Sequence, residues 1–341
     1  MIELSHLFLL ISCIYLIFSN VSLYAFLAFL SSAIIFYISF NIGKKFSFLV
    51  KVKELCNYKR DEKIGLILMV IGIIFLVLDL LWVRDIPLFN PEVRRFLNVG
   101  FTLISRFFIL GWAIYLASSN LDKKRAIIYT LIFSAMVMLI GYRTSVIVLL
   151  ISSIFALYYK GEIKNRELLA LFSIVFLIFL LMSIIRLMVL KVSGNPIISR
   201  ISLTMSVYDI IFNYFNGSFN YYLHYSAILS YLGLAKAPRA VIANFLGIYG
   251  VTITPTVVGA VVGDYGTLAI IPYFGILGMF LGFYYMIAKK LKGIYLGVYS
   301  VLAAYTLVSI ESGILDLDVI FYYFLGLLLC IYAILSRKLR K

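Results

Sequence analysis

Apolar runs recur along the whole chain, and a run of about 20 residues crosses a hydrocarbon core of roughly 30 Å as a helix. The runs are continuous rather than alternating, which predicts helices and not the strands of a membrane barrel. Hydrophobic residues make up 64% of the chain and charged residues 13%, whereas a soluble domain has about 45–50% and about 25%. The sequence therefore predicts an all-α, polytopic transmembrane helical bundle.

About ten spans are predicted, in one membrane domain that covers residues 1–341. The N-terminal stretch lacks a basic segment and a small-residue cleavage site, which indicates a retained first span rather than a removed signal. The predicted spans are 4–18, 21–40, 64–83, 99–118, 126–141, 145–160, 168–190, 267–288, 294–310 and 319–336.

Basic residues predict the orientation of the bundle. Twenty of the thirty Lys and Arg residues fall on one side when the spans alternate, and they lie in 44–63, 123–125, 160–166, 289–292 and 337–341. The positive-inside rule makes that side cytoplasmic, with both termini inside. Basic loops explain much of the net charge of +15, so we expect a multi-pass protein of the plasma or inner membrane and no nucleic-acid partner.

A long segment, 191–266, then lies on the outer face, and loops of this length are usually functional. Within it, residues 201–215 have the pattern of an interfacial amphipathic helix. Residues 241–263 are long enough to span, but their Pro, Gly and β-branched residues favour a re-entrant or surface-lying segment. Irregular backbone at membrane depth is tolerated only when it is buried in protein or lines a cavity.

Eight of the ten basic residues outside the cytoplasmic set are arginines. Lysine suffices as a topology signal, whereas the planar guanidinium fork binds phosphate oxygens in pairs. The alternative for each is a pairing with a nearby acid or an interfacial position. The ten are Arg84, Arg94, Arg95, Arg106, Arg143, Arg186, Lys191, Arg200, Lys236 and Arg239.

Arg143 and Arg186 have few acidic neighbours in sequence and are flanked by apolar runs. They predict an anionic ligand at the outer leaflet, for which a lipid-linked phosphate or diphosphate fits best. Arg106, Arg200 and Arg239 are further candidates for the same diphosphate. The three cysteines have no CxxC spacing, so no metal site is predicted.

Three stretches follow one another along the chain: RDIPLFNPEVRRFLNVG (84–100), GYRTSVIVLLISS (141–153) and TPTVVGAVVGDYGTLAIIPYFGILGMFLG (254–282). Together they resemble the oligosaccharide repeat unit polymerases, the Wzy-type O-antigen polymerase group. The first is similar to an outer loop of that family, the second to its short Arg-Thr turn, and the third to its Asp-Tyr-Gly segment before a late span. Arg84-Asp85 departs from the Gly-Gly that is common there.

The resemblance implies an integral membrane glycosyltransferase of the GT-C superfamily. Its donor and acceptor would be polyprenyl-diphosphate-linked oligosaccharides on the outer face, and polyprenyl diphosphate would be released. The family needs no nucleotide sugar, and neither a cofactor nor a metal is expected. Membrane lipids surround such an enzyme, and a flippase or a chain-length regulator is a candidate partner.

The acceptor hydroxyl of such a reaction needs a base or good alignment. His224, in FNYYLHYSAIL, and Asp264, in VVGDYG, are the catalytic candidates, since imidazole suits proton transfer near neutral pH. The alternative for His224 is a hydrogen bond to a tyrosine. The alternatives for Asp264 are capping of the helix from about 267 and pairing with an outer arginine.

Two other functions stay open. A glycan ligase would use the same donor with a different acceptor. A transporter or flippase for lipid-linked oligosaccharides would favour charged or broken helices near the bilayer midplane and inverted repeats. The span charges cluster toward the outer ends instead, which favours chemistry at the surface.

Overall fold

The structure is a computed structural model that describes residues 2–49, 57–190, 196–249 and 252–335. Within these ranges the chain forms helices and turns and no strand, with fifteen α-helices, α1–α15, and four short 3₁₀ segments. In chain order the α-helices are Leu4–Ile17, Leu23–Lys45, Tyr58–Val83, Val99–Ser105, Phe107–Ser118, Lys123–Met138, Arg143–Lys160, Asn165–Leu190, Pro196–Tyr214, Tyr222–Leu229, Pro238–Phe245, Thr256–Tyr265, Ile270–Leu291, Gly293–Ser312 and Leu317–Leu335.

Each predicted span falls on one helix or on two consecutive helices, and the all-α polytopic bundle is confirmed. Three predicted spans fall on α1, α6 and α8, helices of 14, 16 and 26 residues. Seven segments of the described chain are long and apolar enough to cross a membrane, namely Leu23–Lys45, Tyr58–Val83, Val99–Ser118, Arg143–Lys160, Thr267–Leu291, Gly293–Ser312 and Leu317–Leu335.

The predicted span 99–118 is interrupted at Arg106, between α4 and α5. The Arg106 amide donates to the carbonyl of Leu103 at 3.3 Å, three residues back rather than four. Its own carbonyl accepts a 3.1 Å hydrogen bond from the Tyr322 hydroxyl. Irregular turns inside helices often occur at functional positions, and this one carries a guanidinium.

The long segment forms α9–α12 in the part that the structure describes. Its predicted amphipathic helix is α9, which buries Ile201, Met205 and Tyr208 on one face. Spacings of three and four residues put such side chains on the same side of a helix.

The predicted span-length stretch 241–263 is split, because α11 ends at Phe245 and α12 begins at Thr256. At 1.5 Å per residue, the ten residues of α12 are about 15 Å long, half of a hydrocarbon core. Every residue from Thr256 to Asp264 is buried. Of the two predicted placements, a re-entrant segment buried in protein fits α12 better than a surface-lying one.

The described chain divides into two compact units that interleave along the sequence. The single membrane domain predicted for residues 1–341 stays a prediction. Unit 1 comprises Met1–Ser47, Ser193–Phe283 and Tyr305–Phe321, and unit 2 comprises Phe48–Val192, Tyr284–Ala304 and Tyr322–Lys341.

Apolar clusters and close helix contacts hold the helices together, and the close contacts occur in both units, since a Cβ added to Gly278 in unit 1 would lie 2.6 Å from the backbone oxygen of Phe36. In unit 1 the helices α9–α12 each contribute to one apolar cluster, through Ile211, Leu223, Ile242 and Ala260, which are at most 1% exposed. In unit 2 the helices α3 and α5 approach so closely that a Cβ added to Gly111 would lie 2.6 Å from the backbone oxygen of Gly65. Small residues permit such close contact between membrane helices.

Among the described residues, four aspartates accept hydrogen bonds from backbone N–H groups at the starts of helices that lie elsewhere in the sequence. The first amides of a helix lack partners within that helix, so each carboxylate completes a helix start and joins two segments of one unit. The Asp–amide pairs are Asp61–Ile294, Asp79–Asn98, Asp209–Ser22 and Asp264–Leu223, with N···O distances between 2.9 and 3.1 Å.

Candidate active site

The two catalytic candidates, His224 and Asp264, meet in unit 1. Nδ1 of His224 lies 2.6 Å from Oδ2 of Asp264. The histidine side chain is 20% exposed, and the carboxylate is fully buried. The two residues are 40 positions apart and come together because the end of α12 packs against the start of α10.

Backbone hydrogen bonds hold the start of α10 against the end of α12. The amides of Leu223 and His224 each donate to the Asp264 carboxylate at 2.9 Å. The amides of Gly217 and Phe219 donate to the last carbonyls of α12 at 2.9 and 3.0 Å. Asp264 is therefore a helix cap, as one alternative predicted, but the helix is α10 and not the one that begins near 267.

The contacts of Asp264 favour one tautomer of the imidazole. An ionised carboxylate, which here accepts from two backbone amides, can act only as an acceptor, so Nδ1 of His224 is assigned as the donor to Asp264. In the neutral ring Nε2 then carries no proton and can accept one. The partner of Nδ1 is thus a carboxylate, not the tyrosine of the predicted alternative.

Tyrosine rings line the His224 imidazole. The rings of Tyr265 and Tyr273 have their centroids 5.1 and 5.9 Å from the imidazole centroid. Burial, together with the charge of Asp264 and the neighbouring Tyr221, raises the pKa of Tyr265. The phenol therefore stays neutral beside the His224–Asp264 contact.

Two of the predicted diphosphate ligands, Arg200 and Arg239, bind carboxylates beside the turn between α14 and α15 in unit 1. Arg239 holds Asp316 with both Nη atoms, at 3.1 and 2.6 Å. Nε of Arg200 lies 2.7 Å from Oε1 of Glu311, and its Nη2 donates to the Thr254 hydroxyl at 3.2 Å. These two ion pairs, named here the turn clamp, match the predicted alternative in which outer arginines pair with acids.

The remaining predicted arginines belong to unit 2. Arg143 is the first residue of α7, and its guanidinium lies 5.8 Å from the ring centroid of Phe179. The Arg106 guanidinium lies 5.9 Å from the ring centroid of Tyr142. Arg186 is part of α8, and its side chain lies outside the described residues. The Arg106 guanidinium therefore approaches the short turn, residues 141–143, that carries Arg143.

The sequence marks Arg94 only as one of the ten outer basic residues, yet it also reaches this turn. Its Nη1 donates to the carbonyl of Gly141 at 3.3 Å. The amide of Leu88 donates to the carbonyl of Leu139 at 3.1 Å, so the loop that contains Arg94 packs on the turn. The resemblance of both stretches to one family was the signal that could have joined them.

The described residues contain no group of three or more His, Cys, Asp and Glu side chains arranged to hold a metal ion. Among them, Cys13 and Cys330 are free thiols.

Comparison with known proteins identifies the family. A family model described as "Putative O-antigen polymerase" matches residues 1–323. The chain belongs to this family. An uncharacterized protein of Methanocaldococcus jannaschii, MJ0419, is 61% identical over 343 aligned positions that cover 100% of this chain and 97% of the relative. No solved structure matches the chain.

Membership in the O-antigen polymerase family confirms the resemblance expected from the three stretches. Together with the seven apolar helices, it makes the chain a multi-pass membrane protein. The family supports a membrane polymerase role in glycan synthesis and implies lipid-linked oligosaccharide substrates. Two of the stretches, 84–100 and 141–153, carry Arg94 and Arg143 of unit 2, and the third, 254–282, carries Asp264.

Proposed function

We propose that this O-antigen polymerase family member is a glycosyltransferase that joins polyprenyl-diphosphate-linked oligosaccharide repeat units at the outer face of the cell membrane. The donor glycan passes to the terminal sugar of a second lipid-linked unit, and polyprenyl diphosphate leaves. A GT-C-like architecture, the plasma or inner membrane as its location, and a flippase or chain-length regulator as partner belong to the same proposal.

The observation that carries the proposal is the 2.6 Å contact between Nδ1 of His224 and Oδ2 of Asp264. In the proposed step the acceptor hydroxyl oxygen attacks the anomeric carbon, and the bond from that carbon to the diphosphate oxygen breaks. The hydroxyl proton goes to Nε2 of His224, and the bonding electrons leave with the diphosphate. Asp264 orients the ring and stabilises the imidazolium, and a base of this kind contributes about 10²–10⁴-fold in rate.

The leaving diphosphate gains negative charge, which Arg143, Arg186 and Arg106 are proposed to stabilise. A donor aimed at developing charge contributes about 10²–10³-fold. Arg143 has a further physical reason to meet an anion, because it stands at the positive end of the α7 dipole. A cation there is unfavourable by about 0.3–1 kcal/mol, and a bound diphosphate would offset that cost.

Arg200 and Arg239 are also proposed as diphosphate ligands, but both already bind a carboxylate of the chain. Both guanidinium groups bind a carboxylate, and in the bidentate pair the Arg239 fork donates to both oxygens of Asp316. Phosphate presents the same geometry. A diphosphate at these residues would first displace the carboxylates of the turn clamp.

The proposal is tested by reconstituting the purified full chain in proteoliposomes with a polyprenyl-diphosphate-linked oligosaccharide. We expect products that grow by whole repeat units, with one polyprenyl diphosphate released for each bond. Transfer only to a different acceptor lipid would indicate a ligase. Movement of intact donor across the bilayer without bond formation would indicate a flippase, and either result contradicts the proposal.

Deletion of the gene gives a second readout, the length of the cell-surface glycan. Surface or carrier lipids capped with single repeat units would support a polymerase. Long chains that accumulate on the carrier, with loss of all surface glycan, would support a ligase instead.

A further inference from the structure

A large open groove lies between α10 and α11 in unit 1. Its volume is about 840 Å³, within the range of about 300–1,000 Å³ that is usual for ligand sites. The residues that give it chemical character are Ser218, Phe219, Tyr222, Lys236, Asn244 and Phe245. Aromatic walls with a few polar groups are typical of sites that orient a small ligand.

The aromatic wall of the groove is built from packed rings. The rings of Phe219 and Phe245 meet edge to face with centroids 4.8 Å apart. Phe219 is 4% exposed and anchors the wall in the core, whereas Phe245 is 52% exposed. The groove therefore presents a half-exposed aromatic ring on a buried support.

The charge of the groove is positive. Residues 210–263 contain no Asp or Glu and three basic side chains, those of His224, Lys236 and Arg239. His224 is matched by Asp264 and Arg239 by Asp316. Lys236 is exposed and forms no ion pair with any carboxylate in the described part of the chain.

The groove is separate from the His224–Asp264 pair. Tyr222 lines the groove, and His224 follows it by two positions on α10. Residues two apart on a helix do not face each other. The groove and the imidazole therefore lie on different sides of α10.

We infer that this groove binds a saccharide segment that carries negative charge, and the inference rests on the proposed function in that the saccharide belongs to a lipid-linked repeat unit. The ring of Phe245 stacks on a sugar face, while Ser218, Tyr222 and Asn244 exchange hydrogen bonds with hydroxyl groups. The Lys236 ammonium pairs with the anion, which is either a sugar carboxylate or the phosphate that follows the sugar. An acyl chain would use none of these polar groups, which favours a saccharide over a membrane lipid.

Binding is measured by isothermal titration calorimetry on the full chain in nanodiscs of zwitterionic lipid. The probes are an oligogalacturonate, a neutral oligosaccharide of equal length and inorganic pyrophosphate. We expect Lys236→Gln to weaken binding of an anionic probe about tenfold or more and Lys236→Arg to retain it. Lys289→Gln, at a lysine of α13 that does not line the groove, is the matched control and should change nothing.

The probes distinguish the two sources of charge. Lys236-dependent binding of oligogalacturonate identifies a sugar carboxylate, and Lys236-dependent binding of pyrophosphate alone identifies the phosphate. Equal affinities of Lys236→Gln and the unaltered chain for every probe would overturn the inference. Lys236-dependent binding of phosphatidylglycerol, with no response to either soluble anion, would overturn the inference as well.

A second variant tests the aromatic wall. Phe245→Leu should weaken the binding of the acidic and of the neutral oligosaccharide by the same factor. Tyr249→Leu, at an exposed tyrosine outside the groove, should change the binding of neither. Loss of affinity in both variants alike would contradict a stacking role. The proteoliposome assay for growth of the glycan separates the two proposals. Lys236-dependent binding without any glycosyl transfer would support the saccharide-binding groove and contradict the proposed reaction.

Discussion

The turn clamp and the α10–α11 groove lie in the same unit, but their basic side chains have different surroundings. Arg239 follows Lys236 by only three positions, yet the guanidinium is held by both oxygens of Asp316, while the ammonium is exposed at the rim of a groove. In sequence the two are equivalent, each a basic residue on an outer segment.

The difference indicates two separate uses of positive charge in the predicted outer segment, of which ligand binding is the proposed one. A cation that meets a carboxylate of its own chain holds two segments together, and its charge is cancelled. A cation without such a partner keeps its field for a ligand. Partnership with remote acids, rather than basic character, therefore separates scaffold from binding surface, and the following experiments act on such partnerships and on Arg143, a proposed diphosphate ligand.

The largest effect is expected at His224, whose partner is Asp264. His224→Gln should lower turnover by about 10²–10⁴-fold, because the side chain can no longer take the hydroxyl proton. Turnover and melting temperature are measured on the same purified protein, and the melting temperature should change little since the amide of residue 224 still reaches Asp264.

Asp264→Asn is the control for that experiment. It should lower both turnover and thermal stability, because the carboxylate orients the imidazole and also caps α10. Turnover of His224→Gln within twofold of the unaltered chain would remove the base from the proposed reaction.

The next effect is expected at Arg143 in unit 2. Arg143→Lys keeps the charge and loses the planar fork, so turnover should fall by about 10²–10³-fold if the fork serves the leaving diphosphate. The control is Lys160→Arg at the other end of α7, which replaces lysine by arginine and should leave turnover unchanged. Full activity of Arg143→Lys would exclude bidentate binding there.

The turn clamp should respond in stability. Arg239→Gln and Asp316→Asn should each lower the free energy of unfolding by roughly 1–2 kcal/mol, and the double variant should cost less than the sum because both remove one pairing. The side chains are 25% and 19% exposed, so solvent screening keeps the figure small. Strictly additive losses would show that the pair contributes no coupling.

The smallest effect is expected at an exposed pair in unit 2, Lys123 and Glu167, which lie 2.6 Å apart. The hydrogen bond from Lys123, aided by the Lys164 amide, lowers the pKa of Glu167. A lowered pKa in the folded state adds stability above the unfolded pKa, and that stability is lost as the pH falls through the folded pKa. Thermal melts across acidic pH should show a slightly steeper decline for the unaltered chain than for Glu167→Gln, and identical declines would contradict the pairing.

Much of the fold follows from local sequence. The apolar runs locate every predicted span on a helix, because a helix in lipid satisfies its own backbone and needs no distant partner. The break inside 241–263 also follows from its Pro, Gly and β-branched residues. The interruption at Arg106 was missed, since an apolar run conceals a single irregular turn.

The candidate site is harder to derive, because its contacts join residues that are far apart in sequence. His224 and Asp264 are both identifiable as chemical groups, but their contact spans 40 positions. Arg239 and Asp316 are 77 positions apart. Periodicity describes the faces of single helices and says nothing about which helix ends meet.

The aspartate caps have a consequence for how the chain is made. The start of α2 is completed by Asp209, which is 187 positions further along the chain. During synthesis the Ser22 amide therefore emerges long before its acceptor exists, and water or lipid headgroups must serve it in the meantime. The second helix of the protein acquires its final N-terminal contact only after more than half of the polypeptide has left the ribosome.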